Sequence, residues 1–203
     1  MSPSLKCHDL YDEYQTMSKS ALFIFHDGLE ELEAVAPLDI LRRSGVRCTT
    51  ASASAQHEVM GRNEITLKAD RLLEEVLGHE FDLIVIPGGP GVYPLRKDAR
   101  VIELVKNQSA VGKPVAAICA APTILKDAGL LEDKAYTAHF TVADELPDIQ
   151  SASAVVVDGN IITSRGAGTA VEFGLKLAEI LTGLESSAEV AESIHYQPET
   201  SIR

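Results

Sequence analysis

An α/β fold built on a mostly parallel sheet, with helices on both faces, is predicted by three features of the chain. Runs that are apolar at nearly every position, residues 21–25 (ALFIF), 82–86 (DLIVI) and 115–118 (VAAI), read as strands buried on both sides. Stretches with helical spacing of apolar residues alternate with them, which implies right-handed crossovers between parallel strands. The 203 residues suffice for one well-buried domain and are few for two. Residues 18–203 are therefore read as a single domain. Residues 1–17 are read as an N-terminal extension, expected to be poorly ordered and lacking the apolar segment of a secretory signal.

The first strand ends at a His26-Asp27-Gly28 turn. Residues 30–43 then carry apolar side chains at Leu32, Val35, Ala36, Leu38, Ile40 and Leu41. Acids in the first turn, bases in the last and Gly45 beyond them mark the two ends of a helix. Pro37 inside it predicts a kink or a later start, because an internal proline removes one backbone donor and crowds the carbonyl four residues back. A second strand is expected over 46–51 and a small β excursion over 56–68, and Asp70 is expected to cap a short helix through Leu77. The strand at 82–86 runs into Pro87-Gly88-Gly89-Pro90-Gly91, and Asp98 caps a helix bearing Val101, Ile102, Leu104 and Val105. After residue 118, Ala120 and Ala121 allow a tight bend. Pro122 suits a first helical turn, where no N–H is needed, and Gly129 closes that helix. Residues 135–139 read as a strand. Residues 154–157 and 161–163 flank Asp158-Gly159-Asn160, a hairpin signal. The 164–169 loop feeds a long helix, 170–181, stopped at Gly183. Residues 187–195 add a turn or two of helix before a polar tail.

A formal net charge of −12 argues against a nucleic-acid surface, which needs clustered Lys and Arg. No run approaches the roughly 18 apolar residues that would cross a bilayer. Three widely spaced cysteines, Cys7, Cys48 and Cys119, suit a reducing compartment, here the cytoplasm, and not a disulfide scaffold. The six histidines show no metal-ligand spacing, so no metal is expected. Gly166-Ala167-Gly168 is not a dinucleotide fingerprint, since Val171 occupies the place of the last glycine, and there is no P-loop.

In an open parallel sheet, sites form beyond the carboxyl ends of the strands. Three such ends carry reactive or permissive groups: the acidic turn Glu30-Glu31-Leu32-Glu33, the Gly88-Gly89 pair, and Cys119. A thiol at a strand-to-helix bend lies near the unpaired N–H groups of a helix N-terminus, whose partial positive charge favours thiolate. The competing interpretation is a small buried hydrophobe, as most free cysteines are. Glu33 is the candidate acid or base, and a carboxyl near a thiolate in a partly apolar pocket is favoured in its neutral form. Glu30 and Glu31 are adequately explained as acids at a helix start. Gly88 and Gly89 can bring backbone N–H groups close to a ligand, because no Cβ blocks the approach. His139 is a candidate to orient or deprotonate the thiol.

The segments 25–33 (FHDGLEELE), 86–89 (IPGG), 117–122 (AICAAP) and 163–169 (TSRGAGT) together resemble the ThiJ/PfpI superfamily, and within it the DJ-1 branch. The similarity runs from about residue 18 to about residue 190. The resemblance implies a flavodoxin-like three-layer sandwich, usually a homodimer, with no dissociable cofactor. By position it implies Cys119 as nucleophile, Glu33 as the carboxyl bonded to it, and Gly89 and Ala120 as backbone oxyanion donors. It also implies His139 as the neighbouring histidine and Arg43 as an arginine near the dimer interface and pocket. Two departures stand out. Ala167 occupies a place usually held by proline, which is expected to loosen the loop over the pocket. The tail after residue 190 does not resemble a capping helix found in the branch, which is expected to widen access to Cys119.

Two activities fit the resemblance. One is a cofactor-free glyoxalase or protein deglycase acting on methylglyoxal, glyoxal and their adducts, with small dicarbonyls or glycated protein as partners. The other is an oxidative-stress sensor or chaperone switched by oxidation of Cys119 to a sulfinate. An intracellular peptidase, as in other branches, fits less well, because those sites tend to be built in higher oligomers.

Overall fold

The computed structural model describes residues 18–197, and the expected poor order of residues 1–17 lies outside them. Seven strands form one sheet in the order β5-β2-β1-β6-β7-β9-β8. They are β1 (Ser20–Phe25), β2 (Arg47–Ser52), β5 (Arg71–Leu72), β6 (Leu83–Ile86), β7 (Val115–Ile118), β8 (Val155–Asp158) and β9 (Ile161–Ser164). All neighbours pair in parallel except β8, which returns antiparallel to β9 through a turn with Gly159 at φ +61°. The central strands β6 and β7 are buried at every position, as their continuous apolar sequence requires. The 56–68 excursion is a separate antiparallel pair, β3 (Glu58–Met60) and β4 (Thr66–Lys68).

From β1 the chain crosses to β2 on one side and, later, to β6 on the other. With right-handed crossovers this puts the first helix, α1 (Glu31–Arg43), on the face opposite the helices that link β6 onward. Those are α2 (Leu73–Val76, before β6), α3 (Val92–Leu95), α4 (Ala99–Ala110) and α5 (Pro122–Asp127). After β9 the chain returns to α1's face as α6 (Ala170–Thr182), which packs along α1, and α7 (Leu184–Ser193) then packs on α6. Gly174 makes that packing close, since a Cβ there would lie 2.9 Å from Pro37 Cα and 2.8 Å from Ile40 Cδ1. The switch in direction at β1 and β6 leaves a crevice at their carboxyl ends, where ligands bind in such sheets.

Several local expectations change. The helix starts at Glu31 and runs through Pro37, so its start is not shifted. Asp70 does not cap a helix: its carboxylate accepts from the Thr50 N–H and hydroxyl, both at 2.9 Å, and faces Arg42, while the chain goes on as β5 before α2. Residues 135–139 are not a strand. Two of their donors go to side chains, Ala135 N–H to Asp158 and Thr137 N–H to Thr163 Oγ1, the His139 N–H goes to Cys119 O, and only the isolated bridge between Tyr136 and Ile149 resembles pairing. Asp98 does cap α4, accepting from Arg100 N–H at 2.9 Å. The last helix is longer than one or two turns and begins at Leu184.

Candidate active site

Cys119 follows the last residue of β7 and adopts φ +65°, a left-handed conformation that costs a residue with a Cβ about 1–3 kcal/mol. Two neighbouring segments hold it there. Its N–H donates to Ser164 O at 2.9 Å, and its carbonyl accepts from His139 N–H at 2.9 Å. The chain then turns into α5 through Ala121 N–H to Ile118 O, with Thr123 Oγ1 donating to Ala120 O at 2.7 Å. The residue keeps 9% of its surface exposed, so it is largely buried.

Glu33, only 1% exposed, comes from the first turn of α1. Glu30 caps that helix by accepting from Glu33 N–H at 2.9 Å, which fixes where the Glu33 side chain begins. Glu33 Oε2 then accepts from Gly88 N–H at 2.9 Å, and its carboxyl hydrogen-bonds Cys119. The Gly88 N–H therefore serves the carboxyl, and not a ligand as its sequence allowed. A Cβ on Gly88 would come within 2.6 Å of both Cys119 Cβ and Glu33 Oε2, so the pair can meet only across a glycine. Gly89, at φ +96°, lies against the backbone of residues 28–30, where a Cβ would sit 2.7 Å from Glu30 N. Gly89→Ala is expected to lower stability by about 2–4 kcal/mol, combining backbone strain with overpacking. A urea midpoint equal to wild type would show that this loop is free to shift.

Protonation departs from the sequence expectation. Burial, followed by the Glu33 charge and hydrogen bond, pushes the Cys119 thiol up to about 12, although the N–H groups of Gly89 and Ala120 donate to the sulfur and oppose this. Backbone dipoles alone do not keep the sulfur ionised. Burial, with help from the Glu30 charge, raises Glu33 to about 7 against the opposing Cys119, Gly88 and Arg62. Two groups this close titrate as a pair. One proton leaves near neutrality and the other stays far above it, so over a wide range the pair shares a single proton. When that proton sits on Glu33, the charge sits on a sulfur facing two N–H donors.

His139 joins the pair around Gly166. A Cβ on that glycine would be 3.3 Å from His139 Cδ2, 3.6 Å from Glu33 Oε1 and 3.9 Å from Cys119 Sγ. Burial and then the Arg62 charge hold His139 below its ordinary value, so the ring is neutral at pH 7. The 164–169 loop beside it is tied by Thr169 Oγ1 donating to Gly166 O at 2.9 Å and by the Ser164–Thr169 hydroxyl pair at 2.7 Å, in place of the missing proline. Arg43 is not brought in. It ends α1, about 15 Å along the helix from Glu33, and its guanidinium bonds Asp39 at 2.6 Å. The cation whose field reaches Glu33 and His139 is Arg62, between β3 and β4. That pair of strands is docked on α1 by Glu31, which accepts from Asn63 N and Nδ2 at 2.7 and 2.8 Å. Arg62 carried no sequence signal, because only the docking of a polar, aperiodic segment brings it near. Among the described residues no group of three or more His, Cys, Asp or Glu side chains is placed to hold a metal ion.

Comparison with known proteins shows the family and the fold. The sequence model of the DJ-1/PfpI family matches residues 19–180. Protein dj-1beta of Drosophila melanogaster is 40% identical over 182 residues, covering 88% of this chain and 97% of that protein. The crystal structure of Drosophila DJ-1beta superposes with a TM-score of 0.85 at 39% identity, covering 89% of this chain and 100% of that one. A Caenorhabditis elegans protein named glutathione-independent glyoxalase DJR-1.2 is 36% identical over 173 residues, 83% of this chain and 92% of its own. The structure of Toxoplasma gondii DJ-1, described as oxidized, has a TM-score of 0.84 at 34% identity, covering 88% and 99% of the two chains.

Proposed function

The chain belongs to the DJ-1/PfpI family, and on that premise we propose that it is a cysteine-dependent, cofactor-independent glyoxalase. Its substrates are methylglyoxal and glyoxal, or their adducts with protein amino groups. The observation that carries this reading is the buried Cys119–Glu33 pair, joined by a hydrogen bond, in which burial raises both groups above their ordinary values. The name of the C. elegans relative supports the same class of substrate.

The steps balance without a cofactor. The Cys119 proton passes to Glu33, and the sulfur adds to the aldehyde carbon. Protonation of the carbonyl oxygen then gives a hemithioacetal. Glu33, now a carboxylate, removes the C–H proton from that carbon and returns a proton to the adjacent one, converting the adduct to a lactoyl thioester. Water cleaves the C–S bond, releasing lactate and regenerating the thiol. The N–H groups of Gly89 and Ala120 act on the thiolate before addition, and the adduct oxygen forms on the carbon bonded to the sulfur they face. Lactate measured from methylglyoxal in buffer free of amines and thiols tests the proposal. Many turnovers per chain are expected, and loss of glyoxal limited to one equivalent without lactate would overturn it.

A second reading draws on the oxidized Toxoplasma relative. The Cys119 thiolate attacks one peroxide to give a sulfenic acid and a second to give a sulfinate, releasing water each time, with protonated Glu33 as a donor to the sulfinate. Mild peroxide is then expected to add two oxygens selectively at Cys119, read by mass spectrometry. Equal oxidation of Cys48, whose thiol burial pushes up to about 12, would remove the selectivity this reading needs. Either reading suits a reducing compartment such as the cytoplasm, where the thiol is regenerated.

A homodimer is proposed through one contiguous surface. Leu32 and Val35 on α1 are 60% and 43% exposed, and Met60 and Ile65 beside the β3–β4 turn are 50% and 53% exposed. The Glu31–Asn63 bonds and the bond from Arg62 N–H to Leu29 O, 2.8 Å, hold the two elements together as one face. Leu32→Glu is expected to convert a sedimenting dimer to monomer. A wild-type chain that sediments as monomer at tens of micromolar would remove the proposal.

A further inference from the structure

His139 has two ring nitrogens in different surroundings. Nδ1 lies 3.3 Å from the backbone N–H of Thr141 and 2.8 Å from Thr141 Oγ1. A backbone amide can only donate, so Nδ1 must offer its lone pair, and the Thr141 hydroxyl is free to donate to the same nitrogen. The ring proton then resides on Nε2. The Cδ2 edge next to Nε2 is the one that faces Gly166, across from Glu33 Oε1 and Cys119 Sγ. The ring also lies tilted against Phe140, with centroids 4.2 Å apart and planes at 34°.

We infer that Thr141 is a positioning residue: it fixes His139 as a neutral Nε2–H donor aimed at the oxygen of the bound substrate, and so removes His139 from the list of bases. A proton arriving at Nδ1 would set N–H against N–H, and Nε2 already holds one. The charged and titratable groups around the ring are Arg62, Glu33 and Cys119. A fixed cation at Arg62 further disfavours a second positive charge on the ring. Among the described residues Glu33 is thereby left as the group of the site able to receive the thiol proton, while His139 contributes a hydrogen bond that strengthens as charge develops on the adduct oxygen. This assignment rests on the glyoxalase reading for its substrate, although the tautomer itself does not.

Two measurements test it. Nitrogen NMR of the His139 ring, assigned by the signal lost in His139→Gln, is expected to show an unprotonated Nδ1 and a protonated Nε2 across pH 6 to 8. A protonated Nδ1 in the wild type overturns the inference whether or not the chain turns over methylglyoxal. Thr141→Val removes the hydroxyl donor, which is exposed enough for the fold to survive. It is expected to raise the Nδ1-protonated population and to lower kcat about tenfold with KM little changed. Thr141→Ser is expected to restore both. If Thr141→Val leaves the nitrogen signals and kcat as in wild type, the Thr141 side chain has no positioning role and the inference falls. If wild type makes no lactate, the functional reading fails while the ring signals still decide the tautomer.

Discussion

Cys119→Ser is expected to lower lactate formation by at least about 10⁴-fold while leaving the protein folded. Among the described residues at the site, the sulfur is the group that both forms a bond to carbon and leaves again under mild conditions. A serine hydroxyl in the same place would have to ionise against the burial that already drives the thiol to about 12. The Glu33 and Gly88 contacts do not depend on the sulfur, so what remains is binding and N–H polarisation without a nucleophile. Stability should change little, because both the left-handed backbone and the two hydrogen bonds that hold it are kept. Cys119→Gly refines the point, since glycine relieves the φ +65° strain and should raise the unfolding midpoint while also abolishing turnover. Lactate formation by Cys119→Ser within tenfold of wild type would mean that the chemistry lies elsewhere in the chain.

The centre of the sheet could be read from the sequence because β1, β6 and β7 are buried almost throughout and so carry continuous apolar runs, whereas the short, half-exposed β5 carries none. The same property put Cys119, Gly88 and the Glu30–Glu33 turn at one edge, since parallel pairing aligns carboxyl ends. Residues 135–139 failed for the opposite reason. Their alternation fits a strand, yet Asp158 and Thr163 supply side-chain acceptors that a periodicity argument does not see. Asp70 failed similarly, because Thr50, twenty positions earlier, offered it two donors. Within the site, residue types were legible and protonation was not. A helix N-terminus beside a thiol suggests thiolate, but the degree of burial and the closeness of Glu33 are tertiary quantities, and they dominate. Arg62 acts through the place where a separate segment docks, which no local pattern encodes, whereas Thr141 meets His139 within a single turn, two positions away.

Glu33→Gln is expected to make the protein more stable at pH 8 and nearly inactive, a separation that tests the shared-proton pair directly. The Glu33 carboxyl loses its proton at about 7 in the folded state, against an ordinary value of 4.5. Between those values the folded protein holds a proton that the unfolded chain has released, so stability falls as pH rises. The contribution is fully present below 4.5 and is lost as pH passes through about 7, a loss on the order of 3 kcal/mol. Glutamine has no such proton to lose, and its carbonyl can still accept from Gly88 N–H. At pH 8 the variant should therefore melt about 5–10 °C above wild type, with the difference shrinking toward zero near pH 4.5. Lactate formation should fall by about 10²–10⁴-fold, because nothing remains to move a proton between the two carbons of the adduct. A melting difference that does not change with pH would mean that Glu33 is ionised throughout, and the sulfur would then have no acid to answer it. Retained turnover would place the proton shuttle on another group, and with His139 held as a donor by Thr141 the described residues around the sulfur offer none.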